Sequence, residues 1–239
     1  MIAPVVEVIN REAPSCYRCG ASKRFRSIIA ALSQELFGKV VPLPHFITDK
    51  TIVGLGLSDS DVYAGMLTDR FSYTNTFYHR DPKLDIMEVD ESMVDSADFV
   101  IASDVFEHVP PPVSRAFCNL HRILKKDGVC IFSVPYSNFG EHLEFFPELF
   151  NYRVENLRGQ KVLYNTTSDG REQFFTKLHF HGGSGETLVM RRFSKKSLLD
   201  EIHRAGFSNV RFFHENIPEH GILFNEGAAS LVISMRKST

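Results

Sequence analysis

Ala97-Asp98-Phe99-Val100-Ile101-Ala102-Ser103-Asp104-Val105-Phe106-Glu107-His108-Val109-Pro110 decides how this chain folds. A short apolar run ends in Ser103 and Asp104, and the prolines that begin at Pro110 open a helix. Val113, Phe117, Leu120, Ile123 and Leu124 form the inward stripe of that helix. The helix is expected to end at Lys126-Asp127-Gly128, ahead of a second apolar strand over 129–134. The result is a strand–helix–strand unit with acidic and imidazole groups where its first strand ends. In open α/β sheets, ligands bind at that edge.

The same alternation extends in both directions. Residues 24–37 carry Ile28, Ile29, Leu32, Leu36 and Phe37 at helical spacing, with Gly38 as the stop. Residues 51–57 read as a buried strand. Ser58, Asp59 and Ser60 are cap types for a helix whose inward residues are Val62, Met66, Leu67 and Phe71. Residues 73–78 form the next strand, rich in Tyr, Thr and Phe. The alternation stops over 136–193, an aromatic-rich insert. Within it, 160–165 and 172–178 pair as a hairpin around Asp169-Gly170. It resumes with Ser194 capping a helix that Gly206 ends, then strands over 210–213 and 231–235. Repeated strand–helix alternation predicts a parallel sheet covered on both faces.

The 239 residues carry a formal charge of −2. No apolar run approaches the ~18 residues of a membrane span, and no long basic stripe suits nucleic acid. Residues 1–10 contain Glu7 and no basic n-region, unlike a secretory leader. The expected location is cytoplasmic, with a small-molecule substrate, no nucleic acid and no membrane as partner. The oligomeric state is left open, a homodimer included. Of four cysteines, Cys118 and Cys130 fall on core-type positions. Cys16 and Cys19 form a C-x-x-C knuckle without a second pair, so no metal site is assigned.

Gly54-Leu55-Gly56 lies where the first strand meets its helix. A dinucleotide fingerprint requires a third glycine at position 59, and that residue is Asp59. Asp59 and Asp61 repel a pyrophosphate but tolerate an ammonium or sulfonium. The stretch around Asp104-Val105-Phe106-Glu107-His108-Val109 resembles the D-V-x-E-H-V segment of class I S-adenosylmethionine-dependent methyltransferases, and the resemblance spans most of 51–236. It implies a Rossmann-like, mostly parallel seven-stranded sheet with helices on both faces and the last strand antiparallel. It also implies a single domain over 1–239, with 1–48 as an amino-terminal cap and 136–193 on the substrate side. S-adenosyl-L-methionine is the implied cofactor. On this resemblance Gly54, Gly56, Ser58 and Asp59 form the loop after the first strand, and Ser103 and Asp104 line the methionine side. Asp85 meets the adenine amino group. Asn75 stands near the ribose position, with Tyr78, His79 and Asp81 as alternatives. Ser58 and Ser60 occupy positions where the family carries further glycines.

Methyl transfer to a hydroxyl calls for a base, and histidine suits neutral pH. His108 ranks first, beside the expected cofactor. His142 with Glu141 follows, at the start of the insert. His179 and His181 alternate along a possible strand, a pair that serves a base or half a metal site. The expected activity is O-methylation of a sugar or secondary metabolite. A non-catalytic binding protein on the same fold and a nucleotide-dependent oxidoreductase or epimerase are the alternatives.

Overall fold

β1 (Val53–Leu57) lies near the middle of the molecule, nearly fully buried, because Gly54, Leu55, Gly56 and Leu57 are all covered by neighbouring elements. β2 (Ser72–Thr76) and β3 (Ala97–Ser103) flank it in parallel, and β4 (Leu124–Ser133) lies parallel beyond β3. The chain is described here by a computed structural model covering residues 11–181, 187–225 and 230–237. The reading of residues 1–10 and the glycines at 182–185 lie outside that range.

Among the described residues, four α-helices cover the sheet. α1 (Lys23–Phe37) begins where the Ser22 hydroxyl accepts from the Phe25 amide, and it stops at Gly38, whose φ of 69° is left-handed. α2 (Asp61–Arg70) is capped by Ser60. Its buried face is Tyr63, Ala64 and Leu67; Val62 and Met66 are only half-buried. α3 (Val113–Ile123) buries the expected stripe. α4 (Lys195–Arg204) starts at Ser194, in a reciprocal capping box with Ser197. Alternation along β3 divides the core. Phe99 and Ile101 pack with Ile28, Leu32, Tyr63 and Leu67 on one face, while Val100 and Ala102 pack with Phe117, Leu120 and Leu198 on the other.

The remaining strands are β5 (Tyr136–Ser137), β6 (Leu143–Glu144), β7 (Asn151–Leu157), β8 (Gln160–Thr166), β9 (Glu172–Phe175), β10 (Phe180–His181), β11 (Thr187–Leu188), β12 (Arg191–Ser194), β13 (Phe207–Phe213) and β14 (Val232–Lys237). The central sheet has the order β13-β14-β4-β3-β1-β2, and β14 runs antiparallel to both its neighbours. The last strand is thus antiparallel as expected, but among the described residues the sheet has six strands and not seven. After β2 the chain makes only a single bridge, Phe77 to Lys83. Residues 78–83 are exposed and offer no apolar face to a further strand.

Two boundary expectations also change. α3 ends at Ile123, and Lys126-Asp127-Gly128 lies inside β4, because Leu124 is already extended and pairs with Ala97. Cys118 is exposed, while Cys130 is buried as expected. The described residues of the insert fold into three small sheets. The expected hairpin is β8 with β9, and β7 adds a third strand that the sequence pattern did not reveal.

Candidate active site

Asp59 follows β1 and is buried between two phenols. Tyr63 on α2 donates to Oδ1 at 2.7 Å, and Tyr73 on β2 donates to Oδ2 at 2.5 Å. Burial pushes its carboxyl up to about 7 against those two hydrogen bonds and the Arg24 charge. Near neutral pH, Asp59 therefore carries only part of its negative charge. Asn75 clamps its backbone, accepting from the Asp59 amide and donating to the Asp59 carbonyl, both at 2.9 Å. Its amide thus holds this turn from both sides. A Cβ on Gly56 would lie 2.0 Å from the Tyr73 hydroxyl, and one on Gly54 would lie 2.1 Å from the Phe99 ring. Both glycines are thus required by the protein's own side chains. Ser58 is exposed, with φ 59°, a conformation usually supplied by glycine.

At the ends of β3 and β4 a second polar group forms. Asp104, with φ 54°, receives a bidentate pair from Arg11 at 2.8 and 3.0 Å, and the Ser133 hydroxyl donates to it at 2.9 Å. Arg24 Nε lies 3.4 Å from its carboxylate, while Arg24 Nη1 donates to Ser103 at 2.6 Å. Burial opposes ionisation of Asp104, but the hydrogen bonds and charge of Arg11, with the Arg24 charge, hold its carboxyl below the usual range. Glu12 neutralises part of Arg24 across a 2.7 Å pair. The amino-terminal cap therefore closes over Ser103 and Asp104 with two guanidinium groups. Arg11, 93 residues from Asp104, carried no local signal in the sequence.

Three residues on, Glu107 is fully buried, and among the described residues neither of its oxygens has a hydrogen-bond partner. Its oxygen Oε1 lies 3.7 Å from His108 Nε2 and 3.6 Å from His181 Nδ1, and the two imidazole nitrogens are 3.1 Å apart. Burial and the Asp104 charge push the Glu107 carboxyl well above its usual range, and burial pushes His108 down. His108 Nδ1 is 2.9 Å from the Leu188 carbonyl, an acceptor only, so Nδ1 carries the proton and Nε2 the lone pair. His181 reaches this cluster from β10, whereas His179 turns its ring toward Phe145.

The other predicted positions stand elsewhere. His142 bridges Glu144, at 3.1 Å, and Ser197, at 3.2 Å, and Glu141 is exposed. Asp85 is half-buried, with Oδ1 accepting from the Met87 amide. Its charge helps raise the Tyr78 and Tyr152 phenols, behind burial as the main cause. Arg191 is the largest fully buried side chain among the described residues. It donates to Glu144 at 2.5 Å and to the carbonyls of Phe106 and Val109 at 2.6 Å each. Those carbonyls flank Glu107 and His108, so Arg191 holds the loop that presents them. Among the described residues, Cys16 and Cys19 belong to no group of three or more metal-ligating side chains. Among the described residues, the one group of three or more His, Cys, Asp or Glu ligand atoms is Glu107, His108 and His181.

A family model described as a methyltransferase domain matches residues 50–211. No curated protein sequence matches the chain. A sugar N-methyltransferase from a Streptoalloteichus species is similar in structure at a TM-score of 0.50 and 11% identity, over 92% of this chain and 90% of its own. The 1,6-didemethyltoxoflavin-N1-methyltransferase of Burkholderia thailandensis, with 1,6-didemethyltoxoflavin and S-adenosylhomocysteine bound, aligns at 0.48 and 13% identity, over 89% of this chain and 79% of that one. An S-adenosylmethionine-dependent methyltransferase of Clostridium acetobutylicum aligns at 0.48 and 10% identity, over 88% and 98%.

Proposed function

This chain belongs to the family of methyltransferase domains, and on that premise we propose that it methylates a hydroxyl of a small molecule, a sugar or a secondary metabolite. S-adenosylmethionine is the donor and supplies a methyl group on a sulfonium, an electrophile that needs alignment more than activation.

The observation that carries this reading is the mixed-sign cluster at the ends of β3 and β4. Asp104 offers an anion, Arg11 and Arg24 offer cations, and Ser103 and Ser133 offer hydroxyls within one hydrogen-bonded group. A zwitterionic amino-acid tail finds a partner there for its ammonium and another for its carboxylate. Gly54, Gly56 and Ser58 form the backbone turn beside it. Asp59, only partly ionised, and Asn75 support that turn from beneath. Asp85, near Tyr78 and Tyr152, is the acceptor for an adenine amino group. The family match sets aside the oxidoreductase alternative. On the acceptor side, His108 offers Nε2, its other nitrogen being pinned to Leu188. His108 is the side chain that activates the acceptor hydroxyl. His142 serves as a brace between α4 and β6.

Calorimetric titration with S-adenosylhomocysteine, with NAD as control, tests this reading. Micromolar binding of the former alone is expected, and its absence with or without candidate acceptors sinks the proposal. Asp85→Ala should weaken that binding by about 1.5–3 kcal/mol, the usual value of a hydrogen bond to a charged group; unchanged affinity removes Asp85 from the site. His108→Ala should lower turnover about 10²–10⁴-fold, the range of positioned acid–base groups, while S-adenosylhomocysteine affinity stays nearly constant. Wild-type turnover in that variant excludes His108.

A further inference from the structure

We infer that Glu107, His108 and His181 bind one first-row divalent cation, of the Mn2+, Fe2+ or Zn2+ class, at the carboxyl end of β3. The ligand atoms Glu107 Oε1, His108 Nε2 and His181 Nδ1 form a triangle with sides of 3.7, 3.6 and 3.1 Å. The point equidistant from its corners lies about 2.0 Å from each, the length of bonds from imidazole nitrogen and carboxylate oxygen to such cations.

Two further observations point to an occupant. Glu107 is fully buried, and its oxygens lack hydrogen-bond partners among the described residues. A carboxylate so placed is costly unless it is paired or coordinates a metal. His108 donates Nδ1–H to the Leu188 carbonyl, which orients the ring and leaves the lone pair on Nε2, 3.1 Å from His181 Nδ1 and 3.7 Å from Glu107 Oε1. Such an outer bond to a carbonyl is the usual support of a metal-binding imidazole. The His181 side chain is 46% exposed, so the site opens to solvent and leaves coordination positions for water or substrate. Two imidazoles with one carboxylate favour Mn2+, Fe2+ or Zn2+ over Mg2+ or Ca2+, which prefer oxygen alone.

The site stands on this geometry alone; its role rests on the methyl-transfer reading. A substrate hydroxyl bound to the cation gives up its proton to water more readily. Its oxygen then bonds the methyl carbon as the carbon–sulfur bond breaks. His108 activates the hydroxyl through the metal it holds.

The full chain, stripped with a chelator, is titrated with Mn2+ and followed by the electron paramagnetic resonance of the free ion, with Zn2+ and Mg2+ titrated calorimetrically. One Mn2+ per chain is expected, with Mg2+ at least about tenfold weaker. Affinity should fall at least about tenfold in Glu107→Gln and in His181→Ala, the latter at an exposed position where folding is not at stake. Absence of Mn2+ and Zn2+ binding, or unchanged binding in His181→Ala, overturns the site. Equal Mg2+ affinity overturns the cation class. A parallel titration with S-adenosylhomocysteine separates the two readings. Cation binding without it rejects methyl transfer and keeps the site, and the reverse result rejects the site alone.

Discussion

Replacing Arg191 by methionine lowers the melting temperature by about 10 °C. The side chain is fully inaccessible, and its guanidinium spans the Glu144 carboxylate and the carbonyls of Phe106 and Val109. Methionine fills much of the volume but donates to none of them. Breaking a buried ion pair by removing one partner costs about 3–5 kcal/mol. For a chain of this size, each kcal/mol moves the midpoint by about 2–4 °C. Arg191→Lys should rescue little, because a point charge on a flexible stem cannot match three acceptors held in a planar fork. The loop of Glu107 and His108 hangs from the same carbonyls, so turnover should fall even at temperatures where the variant is folded. A melting curve that overlays the wild type would show that another element holds the loop.

Asp59→Asn flattens a pH dependence of stability that the wild type shows between about pH 4 and pH 7. Its carboxyl is pushed up to about 7 in the fold from an ordinary 3.8, by burial first, against the Tyr73 and Tyr63 hydroxyls and the Arg24 charge. The folded state therefore binds the proton more tightly than the unfolded chain does. Its contribution is fully present below the unfolded value and is lost as pH rises through the folded one. Three pH units correspond to about 4 kcal/mol. The amide cannot titrate. It accepts from only one phenol at a time, which adds an offset that pH does not change. Urea unfolding across that range, compared between the two proteins, isolates the Asp59 term from carboxylates that both share. Parallel curves would mean that Asp59 keeps an ordinary carboxyl in the fold.

Local signals determined much of the architecture. The apolar run before Ser103, the stripe of α3, the Ser60 and Ser194 caps and the stop at Gly38 all act within a few residues, and each held in the structure. The antiparallel last strand came from the family resemblance, and its place beside β4 agrees. The same resemblance implied a seventh strand, but the polar segment after β2 pairs at one bridge only. Gly54 and Gly56 were legible as special positions, though not the reason for them. Phe99, Tyr73, Asp59 and Asn75 press against them from other elements.

The chemistry of the site was decided by tertiary structure. The sequence by itself placed Asp104, Glu107 and His108 at a strand end and marked His181 as half of a possible pair. It held no sign that Arg11 would reach Asp104, that His181 and not His179 would face His108, or that Arg191 would carry the loop between them. Strand and helix patterns report which face of one element is buried. The partners of a polar side chain depend on where the cap and the insert fold back, 93, 73 and 85 residues away in these three cases. Hydrogen bonds and charges act over a few ångströms, so only the folded chain brings such groups within range.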